Sequence, residues 1–145
     1  MQSAHPYLIF AGNAEEAFNY YKSVFGGDFE MLVRFERFGD GMGVQESDRQ
    51  KIAHIALPIG GGVMLMASDV VGERARSHKV GTNSYIMLAP SDAAEAERIF
   101  NALAAGGHTE MPLQRTEWAE KYGSCADKFG VQWMVSFAGD VRFDG

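Results

Sequence analysis

The chain is short of cysteine, of long apolar runs and of positive charge. Its single cysteine, Cys125, excludes an intrachain disulfide. No apolar run approaches the ~20 residues that a membrane-spanning helix needs. Met1-Gln2-Ser3-Ala4-His5 lacks the basic start and apolar stretch of a signal peptide. The expected setting is a reducing cytoplasm. Thirteen Lys and Arg against 19 Asp and Glu leave a net charge of −6. Phosphate backbones and anionic bilayers require a surplus of basic side chains on one face, so nucleic-acid and membrane-surface roles are excluded as principal functions.

What is present suffices for one ordinary domain: 145 residues, of which 46% are hydrophobic. Residues 5–11 are rich in Tyr, Leu, Ile and Phe and read as a strand that Gly12 ends. Asn13 and Glu16 form a capping-box-like start, and Ala14, Ala17, Tyr21 and Val24 follow at helical spacing until Gly26-Gly27. From Phe29 the period becomes two, with Phe29, Met31, Val33 and Phe35 on one face of a strand. Residues 39–51 carry no periodicity and read as a mobile loop. Residues 52–58 and 63–68 are two further strands turning at Gly60-Gly61-Gly62, and residues 69–83 read as a connecting segment.

The second half repeats this order. An offset of 79 residues lays Asp92 on Asn13, Glu95 on Glu16, Ala96 on Ala17 and Phe100 on Tyr21. Applied to the preceding strand, it lays Ile86-Met87-Leu88 on Tyr7-Leu8-Ile9 and Ser84 on His5. Loss of either cap, Asn13 or Asp92, is expected to cost ~1 kcal/mol. A short strand near residues 107–111 follows the helix, and then a hairpin. One arm runs from Trp118 to Ala126 and the other from Val131, with Asp127 and Gly130 supplying the acceptor and the backbone freedom of a tight turn. Chance likeness of two capped amphipathic helices is the simpler alternative; the shared order of five elements favours duplication. The reading is a single domain of two strand-helix-strand-strand-strand repeats, 1–69 and 83–139, joined by a linker at 70–82.

Tandem modules of this order resemble the vicinal oxygen chelate superfamily, which includes glyoxalase I, extradiol dioxygenases, and fosfomycin- and bleomycin-resistance proteins. Pro6-Tyr7-Leu8-Ile9-Phe10, Gly12-Asn13-Ala14-Glu15-Glu16-Ala17, Phe25-Gly26-Gly27, His54, Leu65-Met66-Ala67-Ser68-Asp69 and Asp127-Lys128-Phe129-Gly130-Val131-Gln132-Trp133-Met134 are similar to its PhnB-like branch. Ala119 stands where that branch leads one to expect glycine. The resemblance implies an α+β fold of two curled, cup-shaped mixed sheets with helices outside, enclosing a small organic ligand and often completed across a homodimer. Carried over through the repeat, the four metal-ligand positions of the superfamily fall near His5, Met66, Ser84 and Met134. Only His5 suits a borderline or hard divalent ion, because thioether sulfur prefers soft ions. No cofactor is therefore expected, and a divalent metal is the alternative that the superfamily carries. The methyltransferase label common in this branch does not match, since no strand leads through a glycine-rich dinucleotide loop into a helix.

Two candidate catalytic groups follow. His54, mid-strand, reads as facing the same side as Ile52 and Ala56, and is either a proton-transfer group or a hydrogen-bonded structural histidine. Glu117 beside Trp118 is either a carboxylate with a raised pKa or a solvated edge residue. Candidate pocket residues are His5, Met64, Met66, Met87, Trp118, Tyr122, Trp133 and Met134, since methionine and tryptophan adapt to concave apolar sites. Core packing is the competing explanation for most of them. Cys125 reads as a packed thiol. The expected function is a small-molecule-binding protein or a metal-independent enzyme, with a metal-dependent lyase or dioxygenase as the alternative.

Overall fold

The computed structural model describes residues 1–40 and 43–144. Gly41 and Met42, within the expected 39–51 loop, lie outside the described residues. The chain divides into two compact units, Met1–Lys79 and Val80–Gly145. Each builds one four-stranded mixed sheet of the same topology, and neither sheet is closed.

In the first unit β1 (Tyr7–Phe10), β4 (Val63–Asp69), β3 (Ile52–Gly60) and β2 (Met31–Arg34) lie side by side in that order. β1 runs parallel to β4, and the other pairs are antiparallel. Helix α1 (Ala14–Phe25) covers one face with Ala14, Ala17, Phe18, Tyr21 and Val24, all buried. Phe10 meets Phe18 edge-on at 6.3 Å, which identifies the side of β1 that faces the helix. Alternation then turns Leu8, Leu65, Ala67, Ile55 and Leu57 toward the helix and Tyr7, Ile9, Met64, Met66, Ser68 and Ala56 away from it. The β3–β4 turn has positive φ at both Gly61 and Gly62. That is the backbone requirement of the tightest favoured hairpin turn, which side chains resist.

Three expectations change here. The strand expected from Phe29 ends at Arg34, where the register with β3 shifts and the chain enters a 3₁₀ turn over Phe35–Phe38. Backbone hydrogen bonds from Phe35 and Glu36 to Lys51 and Arg49 hold that turn, and Phe35 becomes buried. The same shift separates Ile52, which is fully buried, from His54, which is not. Within the connecting segment a one-turn helix, α2 (Glu73–Ser77), forms after Gly72.

The second unit places β5 (Ile86–Leu88), β8 (Gln132–Phe137), β7 (Lys121–Ala126) and β6 (His108–Gln114) in the corresponding order, with α3 (Ala93–Ala104) packed on one face. A Cβ on Gly123 would meet the Phe100 ring at 2.9 Å, so Gly123 faces α3. Its register partner Val135, and by alternation Cys125 and Trp133, face the same way. The helices keep the offset read from the sequence, since α1 maps residue for residue onto α3. The first strands do not. Ile86 pairs with Trp133 on the helix side, whereas Tyr7 points away from its helix, so Leu8 and Phe10 correspond to Ile86 and Leu88. One extra residue between strand and helix in the second half absorbs the slip, and a slip of one turns every side chain over. The position equivalent to His5 is therefore Asn83 and not Ser84. Met134 corresponds to Ser68, and Met66 to Gln132.

Candidate functional site

Each sheet leaves the face opposite its helix uncovered within its own unit. On the first, Tyr7, Ile9 and Met31 are 45%, 40% and 49% exposed, far more than strand side chains packed in a core. Among them lies the polar pair of this face. Tyr7 Oη is 2.9 Å from His54 Nδ1, and the two rings stack with centroids 5.6 Å apart and planes 28° apart. With the phenol donating, neutral His54 carries its proton on Nε2; a protonated imidazole would donate to the phenol oxygen instead. Nε2 has no partner among the described residues. The arrangement holds the imidazole by Nδ1, and the tautomer decides whether Nε2 is left as a donor or an acceptor. Tyr7 was legible as a strand residue, but its partnership joins positions far apart in sequence and waits on the β1–β4–β3 register.

The second sheet presents an apolar cluster. Trp118, 44% exposed, sits edge-on to Tyr122 at 5.3 Å, and Tyr122 Oη lies 3.5 Å from Met134 Sδ. Met87, paired with Met134 in the ladder, is 64% exposed. Trp118 precedes β7 in a turn where Thr116 Oγ1 accepts from the Trp118 and Ala119 amides. Ala119 is buried there, and no non-glycine described residue has positive φ, so the turn forms without the glycine expected at this position.

The remaining candidates separate. Trp133 is fully buried on the α3 side, and its indole N–H donates to Asp127 Oδ2 at 2.9 Å. It is a core residue, because alternation puts it on the face opposite Met134 and Tyr122. Met64 and Met66 lie on the open face of β4. His5 Nδ1 accepts from the Met64 amide at 3.0 Å and so ties the segment before β1 to β4. Glu117 is exposed in the β6–β7 connection. Cys125 is buried, and burial pushes its thiol pKa up to about 11, which removes the thiolate at neutral pH.

The donor set fits a divalent metal poorly. Of the four positions carried over from the superfamily, His5 has one ring nitrogen engaged by backbone, Met66 and Met134 offer thioethers, and Ser84 lies in an exposed stretch; the register moves the counterparts of His5 and Met66 to Asn83 and Gln132, neutral amides, of which Gln132 donates to the Ser84 carbonyl at 2.7 Å. Among the described residues no three His, Cys, Asp or Glu side chains converge.

Two carboxylates hold the modules' turns: Asp127, read from the sequence as a turn acceptor, and Asp69, which sequence reasoning missed. Asp69, at the end of β4, is 3% exposed and accepts from the backbone N–H groups of Gly12, Ala14 and Ile52 at 3.0, 2.9 and 2.9 Å. It satisfies the first turn of α1, whereas Asn13 makes no side-chain cap. The equal cap role expected of Asn13 is thus corrected, since a buried carboxylate from another strand already occupies the site. Asp92 does cap α3 through the Glu95 amide, and Glu95 returns a bond to the Ser91 amide. Asp127 accepts from the Phe129 and Val131 amides and from Trp133, closing the β7–β8 turn.

The sequence profile of the 3-demethylubiquinone-9 3-methyltransferase family matches residues 2–136. Protein YjdN of Escherichia coli is 34% identical over 140 residues, covering 90% of this chain and 92% of its own. Protein PA1353 from Pseudomonas aeruginosa is 41% identical with a TM-score of 0.81, over 94% of this chain and 98% of that one. A PhnB protein from Bacillus cereus, described as a putative 3-demethylubiquinone-9 3-methyltransferase, is 26% identical with a TM-score of 0.75, over 94% and 100%. The fosfomycin resistance protein FosX from Listeria monocytogenes shares the fold at 12% identity and a TM-score of 0.65, over 96% and 94%. By sequence the chain belongs to the 3-demethylubiquinone-9 3-methyltransferase family, and its paired modules are those of PhnB-like proteins with the vicinal oxygen chelate fold.

Proposed function

We propose that this protein binds a small organic molecule on the open face of its first sheet and needs no resident divalent metal, with Tyr7 and His54 as the polar pair that orients the ligand or moves a proton on it. The observation that carries this reading is the pair itself: an imidazole held at Nδ1 by Tyr7, with Nε2 unpartnered among the described residues, on the face that also carries exposed Ile9 and Met31 and half-buried Met66. An apolar surface with a few converging polar groups is the usual make-up of a ligand site. The family's methyltransferase description finds no support in the topology. The one parallel pair in each sheet lies at its edge, the remaining pairs are antiparallel, and no doubly wound parallel sheet is present among the described residues.

A metabolite library followed by thermal shift and by turnover tests the proposal. A ligand at 100 times its Kd should stabilise the protein by about 2.7 kcal/mol. Tyr7→Phe and His54→Gln should weaken binding or turnover without loss of fold. Treatment with chelator should change neither stability nor activity. Elemental analysis showing about one Zn, Ni, Fe or Mn per chain, lost together with turnover on His5→Ala, would overturn the metal-free reading in favour of a lyase or dioxygenase.

A further inference from the structure

Beyond the Tyr7–His54 pair, at the end of the same face where Ile9 pairs with Ser68, the first unit holds a cleft of about 580 Å³. That volume lies within the range of small-molecule sites, about 300–1,000 Å³. Its apolar lining includes Ile9, Phe35, Val44 and Val70, and two guanidinium side chains from α2, Arg74 and Arg76, also line it. Three carboxylates line it as well, Asp48, Asp69 and Glu73. Two of these are committed elsewhere. Asp69 is saturated by three backbone amides, and Asp48 pairs with Lys51 Nζ at 2.8 Å. Neither Arg74 nor Arg76 is paired with a carboxylate among the described residues. With Asp48 neutralised by Lys51, the cleft sets two guanidinium groups that are in no ion pair among the described residues against Glu73 and the buried, amide-bonded Asp69.

We infer that this cleft is the anion subsite of the ligand, and that the ligand is an organic anion with an apolar body, its carboxylate or phosphoryl group held by Arg74 and Arg76. A guanidinium presents a planar fork of donors that matches both oxyanion types, and the apolar lining beside it suits the body of such a ligand. The inference rests on the small-molecule reading above and adds the charge of the ligand and the residues that select it.

Titration calorimetry of the full chain with phenyl phosphate, benzoate and neutral benzamide at fixed low ionic strength provides the test. The expected result is binding of one or both anions at least tenfold tighter than benzamide. The advantage should vanish in Arg74→Gln/Arg76→Gln, whose exposed positions leave the fold intact by circular dichroism, and should decline as salt is raised. Phenyl phosphate bound in strong preference to benzoate would identify a phosphoryl group, and the reverse a carboxylate. Equal affinity for all three probes, or anion binding undiminished in the double variant, overturns the anion subsite and leaves the small-molecule reading standing. No binding by any probe overturns the subsite, and absence of any hit from the metabolite library in addition would remove the reading on which it rests.

Discussion

At the scale of single residues, burial decides between chemistry and packing more sharply than residue type does. Cys125 and His54 are both types that nucleophilic or acid–base chemistry uses, yet one is sealed beneath α3 and the other is held by Tyr7 on an open face. For Cys125 the consequence is measurable. Its thiol pKa is raised from 9.0 to about 11 by burial first and by the charges of Asp127 and Glu110 after it. Because the folded value lies above the unfolded one, the stabilising contribution is complete below pH 9 and is lost as pH rises toward 11. Alkylation of the native protein by iodoacetamide at pH 8 should therefore be slower than that of a free thiol by at least tenfold and should rise to the free-thiol rate in denaturant. Rapid native labelling would show that the thiol is open to solvent.

Elements are tied together here by carboxylates acting on backbone amides. Asp69 joins β4 to the start of α1 and to the start of β3, a connection that the repeat suggested would fall to Asn13. Replacing Asp69 with Asn keeps its size but turns a donor toward an N–H, leaving buried polar groups unpaired. A loss of about 1–3 kcal/mol is expected in urea unfolding. Asp92→Ala should cost ~1 kcal/mol through loss of the α3 cap, while Asn13→Ala should stay within about 0.5 kcal/mol. A larger effect at Asn13 than at Asp69 would contradict this assignment. The Arg34–Glu15 fork, with contacts of 2.9 and 2.7 Å, joins α1 to β2 in a similar way, but both side chains are partly exposed and solvent screens the pair.

For the whole molecule, the open sheet faces raise the question of what covers them. Each unit exposes large apolar side chains, Tyr7, Ile9 and Met31 in one, Met87, Met111 and Trp118 in the other. Exposed apolar surface of this kind marks interaction sites more often than solvent contact. We propose a homodimer, and light scattering at tens of micromolar should report twice the chain mass of 15.9 kDa. A monomer at that concentration would leave ligand binding as the sole account of these faces. No described helix is long and apolar enough to cross a membrane.

Sequence alone determined whatever depends on neighbours within a few positions. Helical spacing and caps located α1 and α3 in matching frames, glycines with positive φ marked the β3–β4 turn, and Asp127 with Gly130 marked the turn of β7–β8. The family resemblance was legible for the same reason, because its motifs are local runs. Only the tertiary structure decided which face each strand side chain takes. Alternation along a strand has two equivalent phases, and the choice between them is made by the helix that packs on the sheet and by the strand paired alongside. Hence Trp133 proved to be core while Met134 beside it stayed on the open face, and Ile86 aligned with Leu8 instead of Tyr7. The Tyr7–His54 pair and the three amides on Asp69 likewise join residues 17 to 57 positions apart, where a sequence carries no distance and packing supplies it.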